Sequence, residues 1–190
     1  MSRSYIEDKT FKAENYTENS LEKAEYENCT FSNCVFSNAD LSEIIFSNCA
    51  FEACDLSMAN LKNTAFREVE FKDCKMLGLR FDDCNTFSLA FMFKGCLLNF
   101  ASFFKLKLKH TQFRDCQLEE VDFVETDLAK AVFANCDLRK ASFDNTILEG
   151  ADLQSAFNFS IDPEKNRIQK ARFSAQNITG LLDKYNIIIS

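Results

Sequence analysis

The chain has 190 residues and a formal net charge of −7, with four glycines, one proline and nine cysteines. This length suits one domain, and no stretch rich in Pro, Gly or Ser marks a boundary to a second. The amino terminus has no apolar signal-peptide core and no stretch approaches the roughly 18 apolar residues of a membrane span, so we expect a cytoplasmic protein. Residues 1–90 carry 16 acids and 9 bases. This acidity argues against nucleic acid as a direct ligand.

A large apolar residue recurs every five positions along most of the chain. The first series contains Ile6, Phe11, Tyr16, Leu21, Tyr26, Phe31, Phe36, Leu41, Phe46, Phe51, Leu56, Leu61, Phe66, Phe71, Met76, Phe81, Thr86 and Phe91, with Thr86 as its one exception. The series then shifts by two residues and continues through Leu98, Phe103, Leu108, Phe113, Leu118, Phe123, Leu128, Phe133, Leu138, Phe143, Leu148 and Leu153. A period of five matches neither helix nor ordinary strand, so each unit must turn a corner.

Like residues also recur every twenty positions, as in the column Phe11, Phe31, Phe51, Phe71 and Phe91. Four units therefore form one coil that is square in section. The sequence predicts an all-β quadrilateral β-helix of about seven to eight coils over residues 1–175, followed by a short helix and strand at 176–190. Coils spaced like neighbouring strands, about 4.8 Å apart, give a rod roughly 35 Å long.

The position two residues before each central residue also points inward and holds small side chains. All nine cysteines occupy this position. Metal or redox chemistry is one interpretation, prompted by Cys29 with Cys34 and by Cys49 with Cys54. The four-residue gaps are too wide for a zinc knuckle, however, and His110 is the single histidine. We therefore predict buried, inert thiols, with no metal, no cofactor and no catalytic residue.

The shift in the series predicts a bulge at Lys94-Gly95, where glycine permits a sharper turn. Other corners carry Asn28, Asn33, Asn38, Asn48, Asn63, Asp73, Gly78 and Asp83, which tolerate turn geometry. Around the bulge, several large apolar residues are predicted to point outward beside lysines, which suggests a protein contact. This central belt comprises Phe87, Met92, Phe93, Lys94, Phe100 and Phe104. The alternative is that Phe93 and Phe100 fold over the bulge.

Beyond Leu153 the five-residue step becomes irregular, which predicts a distorted last coil over 154–175. Residues 176–185 have helical spacing, Asn186 can end that helix, and 187–189 form a short apolar strand. An exposed apolar edge needs a partner, and a two-fold copy is one solution. The predicted dimerisation residues are Leu181, Leu182, Tyr185, Ile187, Ile188 and Ile189. The alternative is that this segment only caps its own rod.

Units such as Cys54-Asp55-Leu56-Ser57-Met58 and Ala59-Asn60-Leu61-Lys62-Asn63 resemble the A(D/N)Lxx motif of the pentapeptide-repeat family over about residues 6–153. The resemblance implies a right-handed quadrilateral β-helix. The run Cys54 to Ala59 and the tail Leu181 to Ile189 are similar to the Qnr, MfpA and McbG group. That resemblance implies an acidic dimeric rod that mimics DNA, binds DNA gyrase or topoisomerase IV, and confers resistance to fluoroquinolones or a gyrase toxin. This chain lacks the long loops of the Qnr pattern.

Two acidic patches are candidate contacts for such a partner. The first lies near the amino terminus and contains Glu14, Glu18, Glu22, Glu25 and Glu27; the second contains Asp115, Glu119, Glu120, Asp122, Glu125 and Asp127 and no base. Because duplex DNA carries a charge every 1.7 Å or so, a net charge of −7 permits mimicry only in patches. The acids could instead serve only solubility. Without a phosphate-binding loop or a nucleophile with its base, we predict no enzyme; the alternative function is a protein-interaction scaffold.

Overall fold

The computed structural model describes residues 4–188, and these form thirteen short strands. In chain order the strands are β1 (Ser4–Glu7), β2 (Thr10–Lys12), β3 (Ala24–Glu27), β4 (Thr30–Ser32), β5 (Ile45–Ser47), β6 (Ala50–Glu52), β7 (Ala65–Arg67), β8 (Val69–Lys72), β9 (Phe91–Lys94), β10 (Gln112–Arg114), β11 (Val132–Ala134), β12 (Asp152–Leu153) and β13 (Arg172–Phe173). Three 3-10 helices span Phe81–Asp83, Ile178–Leu181 and Asp183–Tyr185.

All of these strands pair in parallel, one coil above the next. β1, β3, β5 and β7 form one sheet, and the remaining nine strands form another. Ile6 pairs with Tyr26, and Tyr26 pairs with Phe46, so partners are one twenty-residue coil apart. The prediction of an all-β parallel solenoid with four five-residue units per coil is confirmed.

We number the four sides of the coil in chain order and name each corner by the faces it joins. The inward columns begin with Ile6, Tyr26, Phe46 and Phe66 on face 1, Phe11, Phe31, Phe51 and Phe71 on face 2, Tyr16, Phe36, Leu56 and Met76 on face 3, and Leu21, Leu41, Leu61 and Phe81 on face 4. The Phe103 ring of face 4 meets the Phe113 ring of face 2 edge-on across the core, with centroids 5.8 Å apart. Faces 2 and 4 therefore lie on opposite sides of the rod.

Stacked aromatic rings fill the core along the rod. On face 2, Phe31 stacks between Phe11 and Phe51, with both centroid distances at 4.8 Å. Burying each such ring contributes about 1.5–3 kcal/mol. The large central residues leave little room beside them, which is why the other inward position is small.

Corners are made by residues in the left-handed backbone region. Asn28, Asn33 and Asn38 have φ between 52° and 58°, and asparagine tolerates this region better than most residues. The structural role predicted for the corner asparagines is confirmed. Asp83 is an exception, because it ends a 3-10 helix instead of occupying such a corner.

The cysteine thiols serve as hydrogen-bond donors inside the rod. All nine cysteines are free and buried. Cys74 Sγ donates to the carbonyl of Phe51 at 3.2 Å, one coil below. On face 3 the corresponding corner is closed by a turn, with the amide of Ala59 donating to the carbonyl of Leu56 at 3.1 Å. Eight of the nine cysteines therefore follow the extended strands of faces 1 and 2, whose central carbonyls lack a turn bond. Cys84 is the exception, because it follows the 3-10 helix of face 4 and its amide donates to the Phe81 carbonyl at 3.0 Å.

The predicted position of the bulge, Lys94-Gly95, is wrong. Gly95 is an ordinary corner with φ of 65°, and Lys94 pairs in register with Lys72 on β8. The regular bond from the Asn85 amide to the Thr64 carbonyl persists at 2.9 Å, but Val69 pairs with Phe91, 22 residues later. The two additional residues therefore lie between residues 85 and 91, in a loop that forms the bulge.

Ring packing explains this choice of register. Phe93 takes the central position of face 2 and stacks on Phe71 and Phe113, with centroids 5.4 and 5.1 Å apart. Thr86 is exposed, and the Phe91 ring occupies core space beside Phe66, with their centroids 5.6 Å apart. Both phenylalanines are thus buried, whereas the predicted register would have exposed one.

The tail closes the carboxy-terminal end of the rod. In place of the single predicted helix over 176–185, two 3-10 helices meet at Leu182. A Cβ on Gly180 would lie 2.1 Å from the carbonyl oxygen of Phe159, so the chain approaches this carbonyl too closely for any other residue. Asn186, with φ of 47°, ends the second helix as predicted.

Candidate protein-interaction surface

Charge is distributed unequally over the four faces. On the outward positions of face 2, five bases and three acids give a net charge of +2: Lys12, Lys72, Lys94, Arg114 and Arg172 against Glu52, Glu70 and Asp152. On face 4 from Leu21 to Phe143, two bases and five acids give −3: Lys62 and Arg80 against Glu22, Asp40, Asp82, Asp122 and Asp144. In the irregular coil that follows, Asp162 and Glu164 are both paired with Lys184. The rod therefore has an acidic side opposite a basic side, although the inward columns of both faces are apolar.

The acids of face 4 differ in how far they are already paired. Asp40 lies 3.3 Å from Lys23, and Asp82 lies 2.6 Å from Arg80 and is largely covered. Glu22, Asp122 and Asp144 make no ion pair among the described residues. These three carboxylates are the ones on this face that remain to attract a basic partner.

Several carboxylates also stabilise the coil itself. Asp122 accepts a hydrogen bond from the amide of Val124 at 2.9 Å, and Asp40 accepts one from Ser42 at 3.0 Å. Hydrogen bonding by Ser42 lowers the pKa of Asp40. Such bonds explain why Asp and Asn precede the central residue so often, and they give part of the acidity a structural purpose.

The predicted amino-terminal acidic patch is divided between faces. Glu25 and Glu27 lie on β3 of face 1, where Glu27 pairs in register with Glu7. The Tyr5 hydroxyl donates to the Glu27 carboxylate, and this bond raises the pKa of Tyr5. Residues 24–61 contain six acids and no base, so these two coils carry no positive charge of their own.

Glu14 and Glu18 belong to the first coil. Both are exposed, with Glu18 at corner 3–4. Glu22 belongs to face 4. The five residues of this predicted patch therefore surround the end of the rod and do not form one flat surface.

The second acidic run, 115–127, winds around one coil and is partly neutralised. Glu120 lies 2.9 Å from Lys140, Glu125 lies 3.5 Å from Lys105, and Asp127 lies 3.3 Å from Lys109. Hydrogen bonding to Glu120 raises the pKa of Lys140. The remaining members, Asp115, Glu119 and Asp122, make no ion pair among the described residues. Sequence could not reveal this neutralisation, because the lysines come from neighbouring coils.

The predicted central belt is not one surface. Phe93 is fully buried in the face 2 column, so its predicted exposure is wrong. Phe87, 72% exposed, and Met92, 39% exposed, lie beside corner 1–2. The half-buried Phe104 lies on face 4 next to corner 4–1, with Lys105 Nζ 4.6 Å from its ring centroid. Phe100, 57% exposed, lies at corner 3–4. The apolar surfaces at corners 1–2 and 3–4 are diagonally opposed on the rod, with Lys94 on face 2 between the first of them and corner 2–3.

The carboxy-terminal segment combines buried anchors with exposed apolar residues. Leu181 packs on the core, and Lys184 Nζ lies 2.8 Å from Asp162 and 2.7 Å from Glu164. Leu182 is half-buried. Tyr185, Ile187 and Ile188 are 52%, 57% and 98% exposed. Neither Ile187 nor Ile188 is in a strand, and Ile189 lies outside the described residues.

Within residues 4–188, no three His, Cys, Asp or Glu side chains are placed to hold a metal ion together. Burial raises the pKa of Cys49 to about 12 and that of Cys34 above its usual value. None of the helices in this range is long and apolar enough to cross a membrane. The surface therefore offers carboxylates, lysines and apolar corners as its contact groups.

Known structures share this architecture. Two trypsin-treated variants of QnrB1, described as a plasmid-mediated fluoroquinolone resistance protein, align with TM-scores of 0.65 and 0.64 at 19% and 18% identity. The alignments cover 98% and 100% of this chain and all of each QnrB1 chain. A search of curated proteins by sequence finds no significant match.

Family profiles give the sequence counterpart of this fold. One, "Pentapeptide repeat region", matches residues 24–92, and another, "Pentapeptide repeats (8 copies)", matches residues 116–154. Together these matches cover more than half of the chain, and both consist of the five-residue units whose inward columns form the core. The chain belongs to the pentapeptide-repeat family.

Proposed function

We propose that this protein binds a type II DNA topoisomerase, DNA gyrase or topoisomerase IV, through its acidic face 4 and acts there as a partial mimic of DNA. The observation that carries the proposal is the separation of charge, with −3 on face 4 and +2 on the opposite face 2. A topoisomerase binds duplex DNA with basic surfaces, so it would select the acidic side. The similarity in fold to QnrB1, a fluoroquinolone resistance protein, agrees with this choice of partner.

The magnitude of the charge limits the mimicry to a patch. Nine strands stacked on face 2 give a rod about 40 Å long at about 4.8 Å per coil. Duplex DNA of that length carries about twenty-four charges, at one per 1.7 Å or so. Face 4 has far fewer carboxylates, and they serve mainly to steer the encounter with a basic surface.

A charge-neutralised variant tests the proposal. The purified chain is titrated into supercoiling and cleavage reactions of gyrase and topoisomerase IV, with and without ciprofloxacin. We expect the wild type to inhibit supercoiling or reduce drug-stabilised cleavage, and Glu22→Gln with Asp122→Asn and Asp144→Asn to lose most of this effect. These amides keep the size of each side chain and leave the Asp122 bond to Val124 possible.

The matched control changes the same charge on the opposite face. Glu52→Gln with Glu70→Gln and Asp152→Asn also adds +3, and we expect it to act like the wild type. Equal losses in both triple variants would mean that only net charge matters. No effect of the wild-type chain on either enzyme at micromolar concentration would contradict the proposal and favour a scaffold with another target.

We further propose that the exposed tail residues Tyr185, Ile187 and Ile188 join two rods into a dimer. Support comes from their exposure beside Leu181 and Leu182, which hold the segment to the rod. Sedimentation of the full chain and of residues 1–175 tests this. We expect a dimer that becomes a monomer on truncation. A monomeric full-length chain would leave the tail as an intramolecular cap.

Fluoroquinolone resistance and protection against a gyrase toxin are the cellular activities that we propose for this binding. Expression in a susceptible bacterium, with the minimum inhibitory concentration of ciprofloxacin as the readout, tests the first. The face 4 triple variant should lose any protection that the wild type gives. Equal protection by the wild type and the triple variant would show that resistance does not depend on the acidic face.

A further inference from the structure

Corner 3–4 carries two residues that the coil itself disfavours. Met58 and Phe100 occupy corner positions with φ of 58° and 63°. Among the residues of positive φ in the described chain, they alone are large and apolar; the others are mostly Asn, Asp, Glu, Lys or Gly. This backbone region crowds the Cβ atom, so bulky side chains avoid it.

These two side chains are also exposed, Met58 by 62% and Phe100 by 57%. A buried side chain could offset the backbone strain by packing in the core, but an exposed one does not. The conformation therefore opposes folding, and the exposed side chain gains too little burial to offset it. Strain that folding does not explain is a sign of a functional constraint.

The two residues belong to one continuous apolar surface. Gly78 lies between them on the same corner, one coil above Met58 and one coil below Phe100. The Met58 side chain lies across this glycine, because a Cβ on Gly78 would be only 2.6 Å from Met58 Sδ. Leu77, which precedes Gly78 on face 3 and is half-buried, extends the surface onto that face. We call Met58, Leu77, Gly78 and Phe100 the apolar corner.

The charges around the apolar corner indicate what kind of partner fits it. The cations nearest to it are paired: Lys75 with Asp55 at 3.2 Å and Arg80 with Asp82 at 2.6 Å. Lys62 and Lys105 lie at the far end of face 4, towards corner 4–1. On the coil above Phe100, Glu119 and Asp122 make no ion pair among the described residues, whereas Glu120 is paired with Lys140 at 2.9 Å. The corner is therefore an apolar strip bordered by uncompensated carboxylates, which complements a basic surface that contains an apolar recess.

We propose that the apolar corner is the affinity anchor of the partner contact made by face 4, and that it inserts into an apolar recess beside a basic, DNA-binding surface of the topoisomerase. This inference rests on the proposed function. DNA presents no such apolar corner to the enzyme, so the partner recognises this chain by more than DNA mimicry. Carboxylates on the rim accelerate association, while the central apolar residues determine affinity.

Asparagine, the residue most common at corners, can replace both side chains to distinguish an effect on partner binding from an effect on folding. In Met58→Asn/Phe100→Asn both changes place asparagine in a conformation that it tolerates, as at Asn38 on the same corner. We expect the melting temperature to stay the same or rise, and affinity for gyrase or topoisomerase IV to fall about tenfold or more. The slope of affinity against salt concentration should not change, because no charge is altered.

The experiment measures fluorescence anisotropy of the labelled full chain titrated with each holoenzyme at several KCl concentrations. Phe87→Asn is the matched control, because Phe87 is a more exposed phenylalanine at the diagonally opposite corner, and it should bind as the wild type does. The face 4 triple variant should reduce the salt slope. A large affinity loss with stable folding supports the inference.

The contrary outcomes can be distinguished. If the wild type binds and Met58→Asn/Phe100→Asn binds with the same affinity, the apolar corner is not the affinity anchor. The proposed function is unaffected by that result. No binding by the wild type overturns the proposed function together with this assignment. A lower melting temperature that accounts for the lost affinity, or conversion of a dimer to a monomer by these substitutions, also overturns the inference and assigns the corner to folding or self-association.

Discussion

Phe93 stacks on Phe71 with ring centroids 5.4 Å apart and planes inclined by only 10°, and the two residues pair in register between β9 and β8. This contact carries the face 2 column across the bulge. It also places Phe93 in the core and not in the predicted exposed belt, whereas Phe87 is exposed to solvent.

Replacing Phe93 therefore tests the register directly. We expect Phe93→Ala to lower the free energy of unfolding by about 3–5 kcal/mol, since it leaves a large cavity between Phe71 and Phe113. Phe87→Ala should change it by less than about 0.5 kcal/mol. Chemical denaturation followed by circular dichroism measures both, and a mild effect at Phe93 would favour the register with Phe91 in the column.

The size limit at the second inward position can be tested at Cys74. Cys74→Ala should lower the free energy of unfolding by about 1 kcal/mol, because the bond to the Phe51 carbonyl is lost. Cys74→Leu should cost about 1–3 kcal/mol more through overpacking. Thiol titration with a disulfide reagent should find no reactive cysteine before denaturant is added. A Cys74→Leu variant as stable as the wild type would contradict this account of the position.

Attachment of the tail depends on the close approach at Gly180. The Ile161 amide donates to the Gly180 carbonyl at 2.9 Å, and Gly180→Ala should expose this amide to faster hydrogen exchange by forcing the chain away from Phe159. Gly150→Ala is the control, since its nearest contact would be 3.5 Å away, and its φ of 66° should cost only about 1 kcal/mol. Equal protection of Ile161 in both variants would show that the tail is held elsewhere.

Acid should release the same segment. Hydrogen bonds from Lys184 lower the pKa of Asp162 and of Glu164 in the folded chain. A carboxyl whose pKa is lowered by folding stabilises the folded state at any pH above its unfolded pKa of about 4. This stabilisation is lost as the pH falls through the lower pKa of the folded chain. Because the intrinsic exchange rate of an amide itself falls with pH, the quantity to follow is the protection factor, the intrinsic rate divided by the observed rate. We expect the protection factor of the Ile161 amide to fall below about pH 4 in the wild type.

Lys184→Met provides the variant for that measurement. It should weaken the segment at neutral pH and reduce the additional effect of acid, whereas Lys130→Met, another exposed lysine, should behave like the wild type. An identical acid response in the Lys184→Met chain would assign the pH dependence to other carboxyls.

The repeat made most of the fold predictable. A period of five with a second period of twenty specifies parallel coils with four units, because only inward residues need to be large and apolar. The same pattern predicted the buried cysteines and the asparagine corners. The bulge was placed wrongly because Phe91 and Phe93 both satisfy the pattern, and the sequence does not say which ring stacks on Phe71.

The candidate surface was less accessible to sequence reasoning. The acidic run at 115–127 seemed uncompensated because Lys105, Lys109 and Lys140 approach it from adjacent coils. Phe87 and Phe100 are near in sequence, yet five-residue faces place them at opposite corners. Met58 lies outside the predicted belt, although a large apolar residue at a corner position is a signal that the sequence contains.

The sequence by itself determined the coil, its four faces and the buried columns, because each depends on one residue type repeating at a fixed interval. Tertiary structure decided the register across residues 85–91, the pairing of charges and the grouping of Met58 with Phe100. Each of these depends on contacts between residues twenty or more positions apart, where ring stacking and ion pairing between coils select among arrangements that are equivalent in the local pattern.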